Sequence, residues 1–154
     1  MLFRSWSDPV PLDQHGTWIK LFDLMIKIKT DHVPRCIRPE ESSPTCEMRL
    51  ICLSDAGTGA AGTAVYAGTP LADGTFSCKL VLSRSKIVSG VIPRNELEGI
   101  LLMAETAQSV ACALQRFTIS TRLYSDSNIA ICWVLNGRKR LRAWVFNRVS
   151  AILS

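Results

Sequence analysis

The chain has 154 residues, 47% of them hydrophobic, and a formal net charge of +5. That length fits one domain with an appended segment, and the apolar content excludes wholesale disorder. The longest apolar stretch, Ile100 to Leu114, is interrupted by Glu105, Thr106, Gln108 and Ser109, so it is too short and too polar to cross a membrane.

The first 16 residues show little periodicity. From Thr17, a candidate cap, the spacing predicts a helix with Trp18, Phe22, Met25 and Ile26 on one face. "HVPRCIRPEESSP" breaks it: three prolines and two serines between residues 32 and 44 read as a linker. We place a boundary near Glu47, dividing a connection segment (1–47) from a domain (48–154). Beyond it, "MRLICLSDAG", "GTAVYAG" and "TFSCKLVLS" read as three strands, the last two joined by a hairpin at Asp73-Gly74. A long helix follows from Arg94 to about Leu114, with Pro93 suited to its start. "FTISTRLYS" is a fourth strand, "SNIAICWVLNG" a helix that Gly137 can end, and "RLRAWVFNRVSAILS" a last helix. The order β-β-β-α-β-α-α predicts an α/β fold, a mixed sheet with helices packed on it.

Charge is unevenly placed along this order. All 13 acids lie at or before Asp126, where 13 bases balance them. The excess is Arg138, Lys139, Arg140, Arg142 and Arg148. A basic patch on a balanced body suits a polyanion such as a nucleic-acid backbone, and equally an ordinary solvated face. Trp133 and Trp144 nearby suit stacking or, more simply, the core. Six cysteines, at 36, 46, 52, 78, 112 and 132, form no C-x-x-C pair, and four lie in apolar runs and read as small buried hydrophobes. His15 and His32 are remote from each other and from any cysteine pair, which argues against zinc. Reduced thiols and no secretory signal point to an intracellular protein, cytoplasmic or nuclear.

Three acids stand out. Asp55 ends a strand and enters the first hairpin, Asp126 ends another strand, and Glu96 lies in the first turn of the long helix. Converging at one sheet edge, they would offer the oxygen ligands that Mg²⁺ requires, and two such ions about 4 Å apart could assist phosphodiester hydrolysis. Each acid also has a plain role open to it: Asp126 as a helix cap, Asp55 as a turn residue, Glu96 as a helix-dipole partner. "GTGAAG", Gly57 to Gly62, matches G-x-G-x-x-G, but a strand-like segment follows where a dinucleotide site needs a helix. "SDAGTGA" approaches the turn of an aspartic peptidase, with Ala56 in place of the hydroxyl residue, and "SDSN" lacks its glycine.

"LICLSDAGTGAAGTAVYAG", "SRSKIV", "IPRNEL", "LYSDSNIAICWV" and "FNRV" resemble the RNase H-like domain of BEL/Pao retrotransposon polyproteins, a region also labelled Pao retrotransposon peptidase. "WSDPVPLDQHGTWIKLFD" and "HVPRCIRP" resemble the segment joining it to the reverse transcriptase, so the likeness spans nearly the whole chain. The resemblance implies an RNase H fold and hydrolysis of RNA in RNA–DNA hybrids during reverse transcription. By position it makes Asp55, Glu96 and Asp126 the catalytic carboxylates and ligands of Mg²⁺ or Mn²⁺, with the reverse-transcriptase part as partner. Family members continue into a further acidic segment with a fourth carboxylate, whereas this sequence stops at Ser154. The expectation is a C-terminally incomplete domain that folds but has low or no activity alone. A non-catalytic nucleic-acid-binding relic and an aspartic peptidase are the alternatives.

Overall fold

A computed structural model describes residues 11–28, 36–40, 42, 47–136 and 141–154. The chain divides into two compact units, Met1–Arg35 and Cys36–Ser154. In the first, a 3-10 turn, Leu12–Gln14, runs into helix α1, His15–Ile28. The helix thus begins before Thr17. The preceding turn is closed by the Gln14 amide, which donates to the Pro11 carbonyl at 2.9 Å. Trp18 and Phe22, one turn apart, bring their rings to 6.0 Å. No side chain of α1 is buried.

The second unit holds β1 (Met48–Ala56), β2 (Ala60–Pro70), β3 (Phe76–Ile87), α2 (Ile92–Ala113), β4 (Thr118–Ser125), α3 (Asn128–Leu135) and α4 (Ala143–Leu153). This is the order expected from the sequence, with longer second and third strands. The sheet order is β3-β2-β1-β4. β1–β2 and β2–β3 pair antiparallel, and β4 runs parallel to β1 after the α2 crossover. The β2–β3 turn follows from its residues. Gly74 takes φ of 84°, a conformation a Cβ would strain, and the Asp73 carboxylate accepts from both the Thr75 amide and hydroxyl.

The helices cover one face of the sheet. Met48, Leu50 and Cys52 of β1 and Val65 and Ala67 of β2 point one way, against Leu97, Ile100, Met103, Ala107 and Val110 of α2. Ala130 of α3 and Val145 and Val149 of α4 complete this core, with Trp133 and Trp144 partly buried against it. Leu50, Val65 and Leu97 have no exposed surface, and full burial of such a side chain stabilises by about 1.5–3 kcal/mol. Thr106, polar at the middle of α2, satisfies its hydroxyl on the Leu102 carbonyl one turn back. The opposite sheet face leaves Leu53, Phe76, Leu80 and Tyr124 exposed. Cys78 lies in β3 and is exposed, as are Cys36, Cys112 and Cys132, so of the described cysteines only Cys52 is a core residue. An apolar run in sequence does not say which of its faces the fold covers.

Candidate metal centre

Asp55 is the penultimate residue of β1, pairs with Gly62 of β2, and is exposed. In the parallel ladder Ser54 lies beside Ser125, so the chain leaving β4 delivers Asp126 to the same sheet end as Asp55. Asp126 does not cap the next helix. Ser127 does, its hydroxyl accepting from the Ala130 amide at 3.4 Å. The carboxylate of Asp126 is thereby left for another use.

Glu96 arrives from above, on α2. Pro93 sits in the first turn of that helix, and Val91 at its N-cap supplies no side-chain bond. One turn beyond Glu96, Gly99 lies against β1. A Cβ there would meet the Asp55 carbonyl and the Ala56 Cβ at 3.6 Å and the Ala61 Cβ at 3.8 Å. These are ordinary van der Waals distances, so α2 lies directly against the end of β1, with Glu96 one turn before the contact. A small apolar cluster, Ala56, Ala61 and Val88, fills the space beneath.

The outcome is that Asp55, Glu96 and Asp126 each place a carboxylate oxygen within 4.8 Å of the other two. Among the described residues, no lysine or arginine forms a salt bridge with any of them; both salt bridges present go to Glu98. Desolvation pushes the Glu96 carboxyl above its usual range, and the charges of Asp126 and Asp55 push it further. Three hard oxygen donors, crowded and uncompensated by a cation, make a cluster capable of binding a metal ion.

Beside it lies a pair of residues the sequence did not single out as a site. Glu98, only 8% exposed, accepts from Lys86 Nζ and Arg148 Nε, each at 2.7 Å. Burial raises its carboxyl, but hydrogen bonds and charge from Lys86 and Arg148 prevail and hold it below the usual range. Arg148 also lies over the Trp144 ring at 4.0 Å, with Arg94 over the same ring at 5.1 Å. Arg148 therefore serves a structural pairing as well as contributing to the basic tail. Asn95 is the second such residue, buried at 2% exposure. Arg142 is exposed at the N-cap of α4, and Arg138, Lys139 and Arg140 lie outside the described residues.

The glycine run that matched a dinucleotide motif forms a tight turn. The Gly57 amide donates to the Ala60 carbonyl, and β2 follows at once, so the helix N-terminus that a pyrophosphate needs is elsewhere.

The model of the family described as "Pao retrotransposon-like RNaseH-like domain" matches residues 3–127, a span that holds Asp55, Glu96 and Asp126. No curated protein matches the sequence. Among solved structures, the chain is similar to RNase H1 from the halophilic archaeon Halobacterium salinarum, at 12% identity and a TM-score of 0.45, covering 68% of this chain and 74% of that one. It is also similar to an N-terminal RNase H domain from Mycobacterium tuberculosis, at 14% identity and a TM-score of 0.47, covering 70% of this chain and 75% of that one.

Proposed function

This chain belongs to the Pao retrotransposon-like RNaseH-like domain family, and from that premise we propose that it hydrolyses the RNA strand of RNA–DNA hybrids during reverse transcription, beside the reverse-transcriptase part of a polyprotein. The observation that carries the reading is the convergence of Asp55, Glu96 and Asp126, with ligand oxygens within 4.8 Å of one another. In this reading the three hold Mg²⁺ or Mn²⁺, ions that prefer carboxylate oxygen over nitrogen or sulfur. When bound, such ions supply Lewis acidity to a phosphodiester and lower the pKa of water.

The protein's own part is placement. Asp55 and Asp126 stand at the ends of paired strands, and Glu96 stands on a helix packed against them, so the donors are set before substrate arrives. The exposure of Asp55 and Asp126 leaves the cluster open to a large substrate. Arg142 and the stretch Arg138 to Arg140 would neutralise backbone phosphates. A third carboxylate beside the two aspartates also supports metal chemistry over the single shared proton of a peptidase dyad.

The test is cleavage of a labelled RNA strand in a hybrid with Mg²⁺ or Mn²⁺, beside Asp55→Asn. The expected outcome is metal-dependent cutting that falls at least about 100-fold in the variant, the scale of losing one transition-state contact. Hybrid binding unchanged by Asp55→Asn, without cutting by either protein, would replace the nuclease with a binding module. Peptide cleavage at acidic pH without metal would replace it with a peptidase.

A further inference from the structure

Bringing three carboxylates together opposes their mutual repulsion, so each needs an anchor. Asp55 is anchored by its pairing with Gly62 of β2, and Asp126 lies between the last rung of the parallel ladder, Ser54 beside Ser125, and the Ser127 cap. Glu96 has no comparable anchor in its own helix, because the N-cap residue of α2 is Val91. The anchor comes from the residue before it. Asn95 Oδ1 accepts from the Gly90 amide at 2.9 Å, and its Nδ2 donates to the Gly57 carbonyl at 2.8 Å and the Gly90 carbonyl at 3.1 Å. Gly57 lies two residues beyond Asp55, in the β1–β2 turn, and Gly90 lies in the β3–α2 loop.

We propose that Asn95 is the positioning residue of the metal centre: its buried amide ties the β1–β2 turn and the β3–α2 loop to the start of α2, and so holds Glu96 against Asp55. The proposal rests on the metal reading above. The chemistry selects asparagine. The site needs one acceptor for an amide and two donors for carbonyls, on one short stem; aspartate cannot donate when ionised, and glutamine is a methylene too long. The fit also selects glycine at position 90, where a Cβ would come 2.8 Å from Asn95 Oδ1. A clamp of this kind shapes metal affinity in the way that hydrogen bonds behind metal ligands do elsewhere, and not only stability.

The test is Mn²⁺ titration of the full chain, read by electron paramagnetic resonance, for wild type, Asn95→Ala, Gly90→Ala and Val149→Ala. Val149 is a core residue of α4, distant in role from the clamp, and controls for lost stability. Asn95→Ala is expected to weaken Mn²⁺ binding on the order of tenfold or more and to speed hydrogen exchange at the Gly90 amide. Gly90→Ala, which perturbs the same amide while keeping it, is expected to weaken binding in the same direction. Val149→Ala should melt earlier and bind Mn²⁺ as wild type does. Wild-type affinity in both clamp variants overturns the proposal, as does an equal loss of affinity in Val149→Ala. If Asn95→Ala fails to fold, Gly90→Ala decides. A wild-type chain that binds no Mn²⁺ overturns the metal reading itself, and the role of Asn95 falls with it.

Discussion

Glu96 gives the metal centre a measurable signature in the absence of metal. Its carboxyl is raised by desolvation and by Asp126 and Asp55, so the folded chain holds that proton more tightly than the unfolded chain. The contribution to stability is therefore fully present below the unfolded pKa and is lost as pH rises through the folded one. At neutral pH without metal the ionised cluster destabilises the fold, and Glu96→Gln should raise Tm by about 1–3 °C, a gain that vanishes toward acidic pH. Thermal melts in chelator across that range check the sign; a lower Tm for the variant at neutral pH would remove the electrostatic argument. On the metal reading proposed above, saturating Mg²⁺ should stabilise wild type and not the variant. Asp126 and its neighbour separate in the same way. Ser127→Ala loses a cap and should cost about 0.5–1 kcal/mol while keeping the Mg²⁺ response. Asp126→Asn should keep the stability and lose the response. Paired melts with and without Mg²⁺ decide, and a matched response in the two variants would remove Asp126 from the ligand set.

At the scale of elements, Glu98 joins three of them: Lys86 reaches it from β3 and Arg148 from α4, while Glu98 itself lies on α2. Its carboxyl sits below the usual range, so its contribution is present above the unfolded pKa and lost as pH falls through the folded one. Glu98→Gln should cost about 1–2 kcal/mol at pH 7, less than a fully buried pair, because Lys86 is half in solvent. Urea denaturation at pH 7 and again in acid checks this; a difference that persists in acid would show that the side chain acts by packing alone. The strands and the long helix were legible in the sequence because their signals are local: period-two alternation, the Asp73-Gly74 turn and Pro93 at a helix start. Asp55 and Asp126 were legible for the same reason, as lone acids at the ends of apolar runs. Glu98 and Asn95 were not, because what defines them is distant in sequence. The Glu98–Arg148 bond spans 50 positions and the Asn95–Gly57 bond spans 38. Without those contacts Arg148 reads as one more base in a basic tail, and Asn95 as one more polar residue near a helix start. The exposed cysteines were misread for a related reason, since alternation reveals that a strand has two faces and not which one a helix will cover.

For the whole molecule, the division between Met1–Arg35 and Cys36–Ser154 carries a consequence for the site. Every group placed in the metal centre and its supports lies in the second unit: the three acids, Asn95 with Gly57 and Gly90, Gly99, and the Glu98 pairing. The apolar core, from Met48 through Val149, lies there too, with Ile37 packed against it. The first unit brings a helix with Trp18, Ile19, Phe22, Met25 and Ile26 exposed and none of its side chains buried. The second unit carries its own apolar core beneath the acids. Because this unit holds both its own core and the acids, a fragment covering 36–154 should unfold in one cooperative transition and should bind Mn²⁺ within about twofold of the full chain. It should also self-associate less, having lost an exposed apolar surface. Calorimetry, Mn²⁺ titration and sedimentation of the two proteins side by side make the comparison. A fragment that melts well below the full chain, or that loses Mn²⁺ affinity, would show that residues 1–35 support the centre directly.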